Sequence, residues 1–196
     1  MRHEIDPVHC DAACIVIRRA IAADIPALLA IEEQSFATDR MTRRNFRYAI
    51  QKAKGVVLVA DCQVGGRTDD RLDDRLGDSP SDTGDSPSDL GSRPVAYGVL
   101  SVHAGTPVAR LTSFAVEPGF RGRGIARRLL SALEDAAAVH GCAGLRLEVR
   151  ADNMAAIALY TAAGYRHFAV YPAYYEDDMT ALRLEKPLAA RSPASC

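Results

Sequence analysis

Arg121-Gly122-Arg123-Gly124-Ile125-Ala126 is the stretch from which the rest of the chain becomes readable. It lies between a strand-like segment, 108–117, and a helical segment, 122–140, in which Ile125, Leu129, Leu133 and Ala137 recur on one face. Glycine takes the Cβ out of a turn, so backbone N–H groups can approach an anion. A helix N-terminus adds donors that lack intrahelical acceptors, together with a favourable dipole. Arg121, Arg123, Arg127 and Arg128 add positive charge. The stretch reads as a pyrophosphate cradle at the end of a strand. A plain glycine-rich turn with solvated arginines is the alternative. Two other phosphate patterns are excluded. A dinucleotide fingerprint needs a third glycine where Arg127 stands, and a P-loop needs Gly-Lys-Ser/Thr, which is absent.

Downstream, Leu145-Arg146-Leu147-Glu148-Val149-Arg150 alternates apolar and charged residues, as a half-buried strand does. Ala151-Asp152-Asn153 follows, then an Ala-rich helix over 153–163 ended by Gly164, and strands over 165–171 and 179–186. Upstream, 14–18 reads as a strand. Asp24 is placed to cap a helix with Pro26 in its first turn, and Thr42 to cap a second over 43–54. Segments 55–62 and 94–102 read as successive strands. Strands mixed with helices in this order indicate an α/β domain with a mixed sheet.

With the cradle, the Leu-Glu-Val-Arg strand, Asn153, the Leu159-Tyr160 pair and the later Tyr174-Tyr175 in place, the chain resembles the GNAT superfamily of acyl-CoA-dependent N-acetyltransferases. Arg121-x-x-Gly124-x-Ala126 matches that superfamily's Gln/Arg-x-x-Gly-x-Gly/Ala loop. Within it the look is closest to the RimI-type, ribosomal-protein-alanine acetyltransferases. The resemblance covers about 14–186 and implies a GNAT-like mixed, mostly antiparallel twisted sheet, splayed between strands 4 and 5, with about four flanking helices. It implies acetyl-CoA as co-substrate. Phe114, Ala115 and Val116 fall where backbone groups meet the pantetheine, and Arg121, Gly122, Arg123, Gly124, Ile125, Ala126 and Arg127 where the pyrophosphate is cradled. Asn153 falls near the pantetheine, and is also a simple helix cap.

The implied chemistry is direct attack of an amine on a thioester in a ternary complex. Glu148 is the matched base, with a strand carboxylate paired to an arginine as the plainer reading. Tyr160 is the matched acid for the thiolate, with a core aromatic as the alternative. Backbone N–H groups around Val116 are placed to stabilise an oxyanion. Tyr174 and Tyr175 fall where related enzymes wall a peptide groove. Thr180-Ala181, Leu184 and Met41 depart from the RimI-type pattern of Asp-Ala, Met and Trp, all on the acceptor side. A protein or peptide N-terminus is the expected acceptor, with a polyamine, amino acid or antibiotic amine, or a non-catalytic acyl-CoA-binding module, as alternatives.

Composition sets the frame. The 196 residues carry 24 Lys+Arg against 25 Asp+Glu, which gives no reason to expect nucleic acid or an anionic membrane as partner. That average hides a partition. Segment 65–93 contains tandem repeats and eight Asp against four Arg, so the other 167 residues carry a net +3. With three leucines, no Glu and no EF-hand spacing, 65–93 reads as a disordered acidic insertion rather than a calcium loop. Flexible tails are expected at 1–13 and 187–196, flanking one domain over 14–186. The N-terminal twenty residues lack a signal-peptide apolar run, and no apolar run is long enough to span a membrane. Five scattered cysteines suit reduced thiols in the cytoplasm, and His3, His9, Cys10 and Cys14 match no zinc spacing. A monomer or weak dimer with no metal is expected.

Overall fold

A strand rich in β-branched residues has few places to go except the middle of a sheet, and two such strands set the fold here. In the computed structural model, which describes residues 15–51, 55–63, 92–103 and 105–189, they are β2 (Gly55–Cys62) and β3 (Arg93–Ser101). They pair antiparallel, with Cys62 opposite Arg93. β1 (Ile15–Arg19) adds on one side and β4 (Val108–Val116) on the other. The second half contributes β5 (Gly144–Arg150), β6 (Arg166–Tyr171) and β7 (Ala181–Pro187). The seven strands run in the order β1-β2-β3-β4-β5-β7-β6. Only the β4–β5 pair is parallel. This is the mixed, mostly antiparallel α/β sheet expected from the sequence.

Four α-helices among the described residues cover it. α1 (Ile25–Ser35) and α2 (Arg43–Gln51) lie on one face, where Leu28, Ile31 and Phe46 pack over Val57, Val59, Tyr97 and Val99. α3 (Ile125–Val139) covers the other face with Leu129, Leu130 and Leu133. α4 (Met154–Ala162) follows β5 and brings Tyr160 into the same core. The alternation in β5 sorts its side chains: Leu145, Leu147 and Val149 enter the α3 core, while Arg146, Glu148 and Arg150 take the opposite face.

Several boundaries differ from the sequence reading. α3 begins at Ile125 rather than Gly122, because Gly122 and Gly124 take φ of 76° and 75° and shape the loop instead. Asp24 stands at the N-cap of α1, but its carboxylate turns back to the Ile21 N–H and to Arg18. Thr42 does cap α2, accepting from Asn45 N–H at 3.3 Å. β7 starts at Ala181, since the Met179 carbonyl is taken by the Tyr174 and Tyr175 amides. Arg93, counted with the insertion, opens β3; Pro187 belongs to β7, and Leu188 N–H bonds to the Ala143 carbonyl. Residues 65–91 of the acidic insertion, the N-terminal tail with Cys14 of the expected first strand, and 190–196 lie outside the described residues. Cys62 is disulfide-bonded, which corrects the reading of uniformly reduced thiols; Cys142 is free and buried. Among the described residues, no helix is long and apolar enough to cross a membrane.

Candidate functional site

The centre of the sheet is split. β4 and β5 pair only from Val108–Leu111 against Gly144–Leu147. Beyond that, β4 continues to Val116 bonded to β3 alone, and β5 continues to Arg150 bonded to β7 alone. Sheet twist accumulates between the two halves until they no longer reach each other. Phe114, Ala115 and Val116 stand on one arm of the opening and Glu148 on the other. The β4 edge facing β5 over 112–116 therefore offers backbone donors and acceptors without a strand partner, which fits an extended amide-bearing chain such as pantetheine.

The loop after β4 supplies the second element. A tight turn over Pro118–Phe120 leads into Arg121–Gly124 and then α3. A Cβ at Gly122 or Gly124 would meet nothing within 4 Å. Their positive φ, not crowding, is what calls for glycine, and the space over them is open. Ile125 is buried and anchors the start of α3, whose first amides have no acceptor one turn back. This backbone cradle fits a diphosphate. The arginines are deployed differently from the sequence reading. Arg121 Nε donates to the Val116 carbonyl at 3.0 Å, Arg123 stacks on Phe120, and Arg128 Nη2 donates to the Ile15 carbonyl at 2.9 Å. Three of the four thus brace the loop and helix against the body. Arg127 is exposed at the helix start.

Asn153 is a cap in the structure, accepting from Ala156 N–H at 3.1 Å. Two turns on, Tyr160 is 6% exposed. Its ring lies 6.3 Å from Phe114 and 5.6 Å from Tyr165, so α4 and β4 meet through aromatic contact across the split. Burial, and then the neighbouring Tyr175, raise the Tyr160 hydroxyl above the usual phenol range, so it keeps its proton at neutral pH.

Glu148 is matched by two arginines rather than one. Its Oε2 accepts from Arg110 Nε at 2.9 Å and its Oε1 from Arg183 Nε at 3.2 Å, and its side chain is only 7% exposed. Tyr174 and Tyr175 do come together, ring centroids 5.2 Å apart, beside this carboxylate. Arg110 Nη2 donates to the Tyr174 hydroxyl at 2.9 Å. The Arg150 guanidinium lies over the Tyr175 ring and is itself held by Asp152 and Asp177. The Tyr175 hydroxyl is pushed up to about 12, first by burial, with Tyr174, Glu148 and Asp39 adding to the effect and Arg150 opposing it. Tyr175 thus feels Glu148, and Tyr160 feels Tyr175.

The sequence reading missed Arg110, Arg183 and Tyr171, because strand register is needed to see them. Arg183 stands directly opposite Glu148 in the β5–β7 ladder. It also missed a buried cluster under β4. Glu32, 2% exposed on α1, accepts from the Tyr97 hydroxyl, and Ser113 Oγ lies 3.2 Å from the same carboxylate oxygen. A carboxylate four residues after Leu28, on the apolar face of α1, was the available signal.

With this geometry in place, the comparisons agree on one family. The profile of the Acetyltransferase (GNAT) family matches residues 67–165. An uncharacterized protein of Mycobacterium leprae is 32% identical over 176 residues, covering 89% of this chain and 41% of that protein. The ribosomal protein bS18-alanine N-acetyltransferase of Salmonella typhimurium is 45% identical over 67 residues, covering 34% of this chain and 45% of the enzyme. The match thus spans under half the length of either curated relative. The crystal structure of the ribosomal-protein-S18-alanine N-acetyltransferase of Escherichia coli superposes with a TM-score of 0.67 at 23% identity, over 93% of this chain and 99% of that one. The split sheet, the glycine cradle and the profile match converge: the chain belongs to the GNAT acetyltransferase family.

Proposed function

We propose that the protein transfers an acetyl group from acetyl-CoA to an amine, and that the amine is the N-terminal α-amine of a protein or peptide. The observation that carries this reading is the opening between β4 and β5, with Phe114, Ala115 and Val116 on one arm, Glu148 on the other, and Tyr160 packed against Phe114. Acetyl-CoA supplies a thioester carbonyl when bound. The backbone of Phe114, Ala115 and Val116 and the cradle from Gly122 to Arg127 are the groups that hold it. An α-amine titrates near 7.7–8.0, so an appreciable fraction arrives neutral at cellular pH and needs little activation. Glu148 takes the amine proton, directly or through one water, as the C–N bond forms. Tyr160, kept protonated by its burial, returns a proton to the sulfur as the C–S bond breaks.

The choice of a peptide acceptor is supported by the likeness to bS18-alanine N-acetyltransferases and by the half-open wall of Tyr171, Tyr174 and Tyr175. The test is release of free CoA from acetyl-CoA with a panel of Ala-, Ser-, Met- and Gly-initiated peptides, alongside spermidine, free amino acids and an aminoglycoside. Acetylated α-amines by mass spectrometry are expected. Turnover confined to the small amines moves the acceptor class. No turnover with any amine, while CoA binding is retained, removes the enzymatic reading.

A further inference from the structure

A closed circuit of side chains surrounds Glu148. Arg110 and Arg183 each give their Nε to one of its oxygens. The same guanidiniums reach outward, Arg110 Nη2 to the Tyr174 hydroxyl at 2.9 Å and Arg183 Nη1 to the Tyr171 hydroxyl at 2.8 Å. The two tyrosine rings complete the circuit by stacking, centroids 5.8 Å apart and planes 18° apart. The members come from β4, β5, β6, β7 and the segment after β6, so the circuit is set by tertiary structure and not by local sequence.

The two arginines are not equivalent. Arg183 is packed against the rings of Phe168 and Tyr171, at 4.9 and 4.8 Å, and its side chain is 23% exposed. Arg110 is 47% exposed, and among the described residues its side chain is held by two hydrogen bonds, one to the carboxylate and one to Tyr174. A guanidinium holds its donors in a rigid planar fork, so bonding through Nε and Nη2 at once fixes the relative position of the two acceptors. The Arg110 end of this ion pair is nearly half exposed, and Arg183 keeps the carboxylate paired without it, so losing Arg110 is expected to cost little stability. Its effect is expected in where Glu148 and Tyr174 sit.

We propose that Arg110 is a positioning residue that couples acceptor seating to proton removal. Tyr174 forms part of the acceptor wall, and Arg110 ties its hydroxyl to Oε2 of Glu148. An amine seated against Tyr174 therefore finds the carboxylate already in place. This rests on the reading of the protein as an amine acetyltransferase.

The test is steady-state kinetics on the full chain with the best peptide of the panel, for wild type, R110Q, R110K, Y174F and the R110Q/Y174F pair. R110Q is expected to raise the acceptor KM about tenfold and to lower kcat, leaving the acetyl-CoA KM unchanged. R110K keeps the charge but not the fork, so it recovers part of kcat while the acceptor KM stays raised. The double variant is expected to show the acceptor KM of R110Q alone, since both changes break one link. An unchanged acceptor KM in R110Q, or losses that simply add in the pair, overturns the proposal. If wild type binds acetyl-CoA yet acetylates no amine, the enzymatic reading falls instead, and hydrogen exchange then decides the positioning role. R110Q should speed exchange of the Tyr174 and Tyr175 amides, which bond to the Met179 carbonyl at 3.1 and 3.2 Å, while β5 is unaffected. Unchanged exchange at those two amides overturns it.

Discussion

Arg183 stands directly across from Glu148 in the β5–β7 ladder and donates to its Oε1, while Arg110 approaches the other oxygen from β4. The carboxylate is thereby oriented, with a lone pair on each oxygen still available to a water or an amine. If it removes the amine proton, Glu148→Gln preserves shape and loses the base. We expect kcat for peptide acetylation to fall about 10²-fold or more with the affinity for acetyl-CoA unchanged. A Gln variant that turns over like wild type would return Glu148 to the role of a paired strand carboxylate.

Tyr160 separates packing from chemistry by the choice of substitution. Its ring fills the space between Phe114 and Tyr165, and its hydroxyl has no hydrogen-bond partner among the described residues. Tyr160→Phe should leave the denaturation midpoint close to wild type and lower kcat about 10²-fold. Tyr160→Ala should cost about 3–5 kcal/mol of stability by opening a cavity at the split. Equal kcat for wild type and the Phe variant would make Tyr160 a core aromatic only, and would favour an acyl-CoA-binding module without turnover.

Gly124 tests the cradle. Its φ of 75° costs a residue with a Cβ about 1–2 kcal/mol. Since nothing lies within 4 Å of that Cβ, the protein itself has room for it. The methyl would instead occupy the open side of the loop. We expect Gly124→Ala to weaken CoA binding about tenfold by calorimetry while unfolding shifts by about 1 kcal/mol. Wild-type CoA affinity in this variant would show that the diphosphate lies elsewhere.

Glu32 gives a pH dependence that is independent of catalysis. Burial raises its carboxyl above the unperturbed 4.5, against the lowering effect of the Tyr97 and Ser113 hydroxyls. A group whose folded pKa is raised keeps a proton that the unfolded chain releases. Its contribution is fully present below the unfolded value and is lost as pH rises through the folded one. Glu32→Gln keeps an acceptor for Tyr97 and does not titrate. Urea unfolding between pH 4.5 and 8 should show wild type losing stability relative to Glu32→Gln as pH rises. A difference that stays flat across that range would mean that Glu32 does not titrate with a raised pKa in the folded state.

What could be read from sequence follows from how local each signal is. The cradle and α3 were legible because Gly122, Gly124 and the Ile125-Leu129-Leu133 repeat are contiguous signals. The alternation Leu145 to Arg150 placed Glu148 opposite the buried face for the same reason. The use of the arginines was not legible. Arg121 and Arg128 look like phosphate ligands until their acceptors, the Val116 and Ile15 carbonyls, are in view. Arg110 and Arg183 are far from Glu148 in the chain and meet it only once the register across β4, β5 and β7 is fixed. A family resemblance points to candidate residues for the chemistry. It does not name the partners that this chain alone supplies.

The hairpin of β2 and β3 bears on the acidic insertion from the two strand ends that flank it. Cys62 and Arg93 are opposite each other in an antiparallel ladder, so two residues suffice to join them. Replacing 63–92 by Asn-Gly would supply a turn whose twist matches the strands. Shortening a thirty-residue connection to two removes closure entropy of about 2 kcal/mol on the flexible-loop estimate. Glu148, Tyr160 and the cradle are carried by elements that follow β3 in the chain, so the replacement leaves their sequence intact. We therefore expect the shortened protein to unfold at a higher urea concentration and to bind CoA as wild type does. Loss of folding or of CoA affinity would mean that the acidic segment contributes to the domain and is not a tolerated expansion of the hairpin.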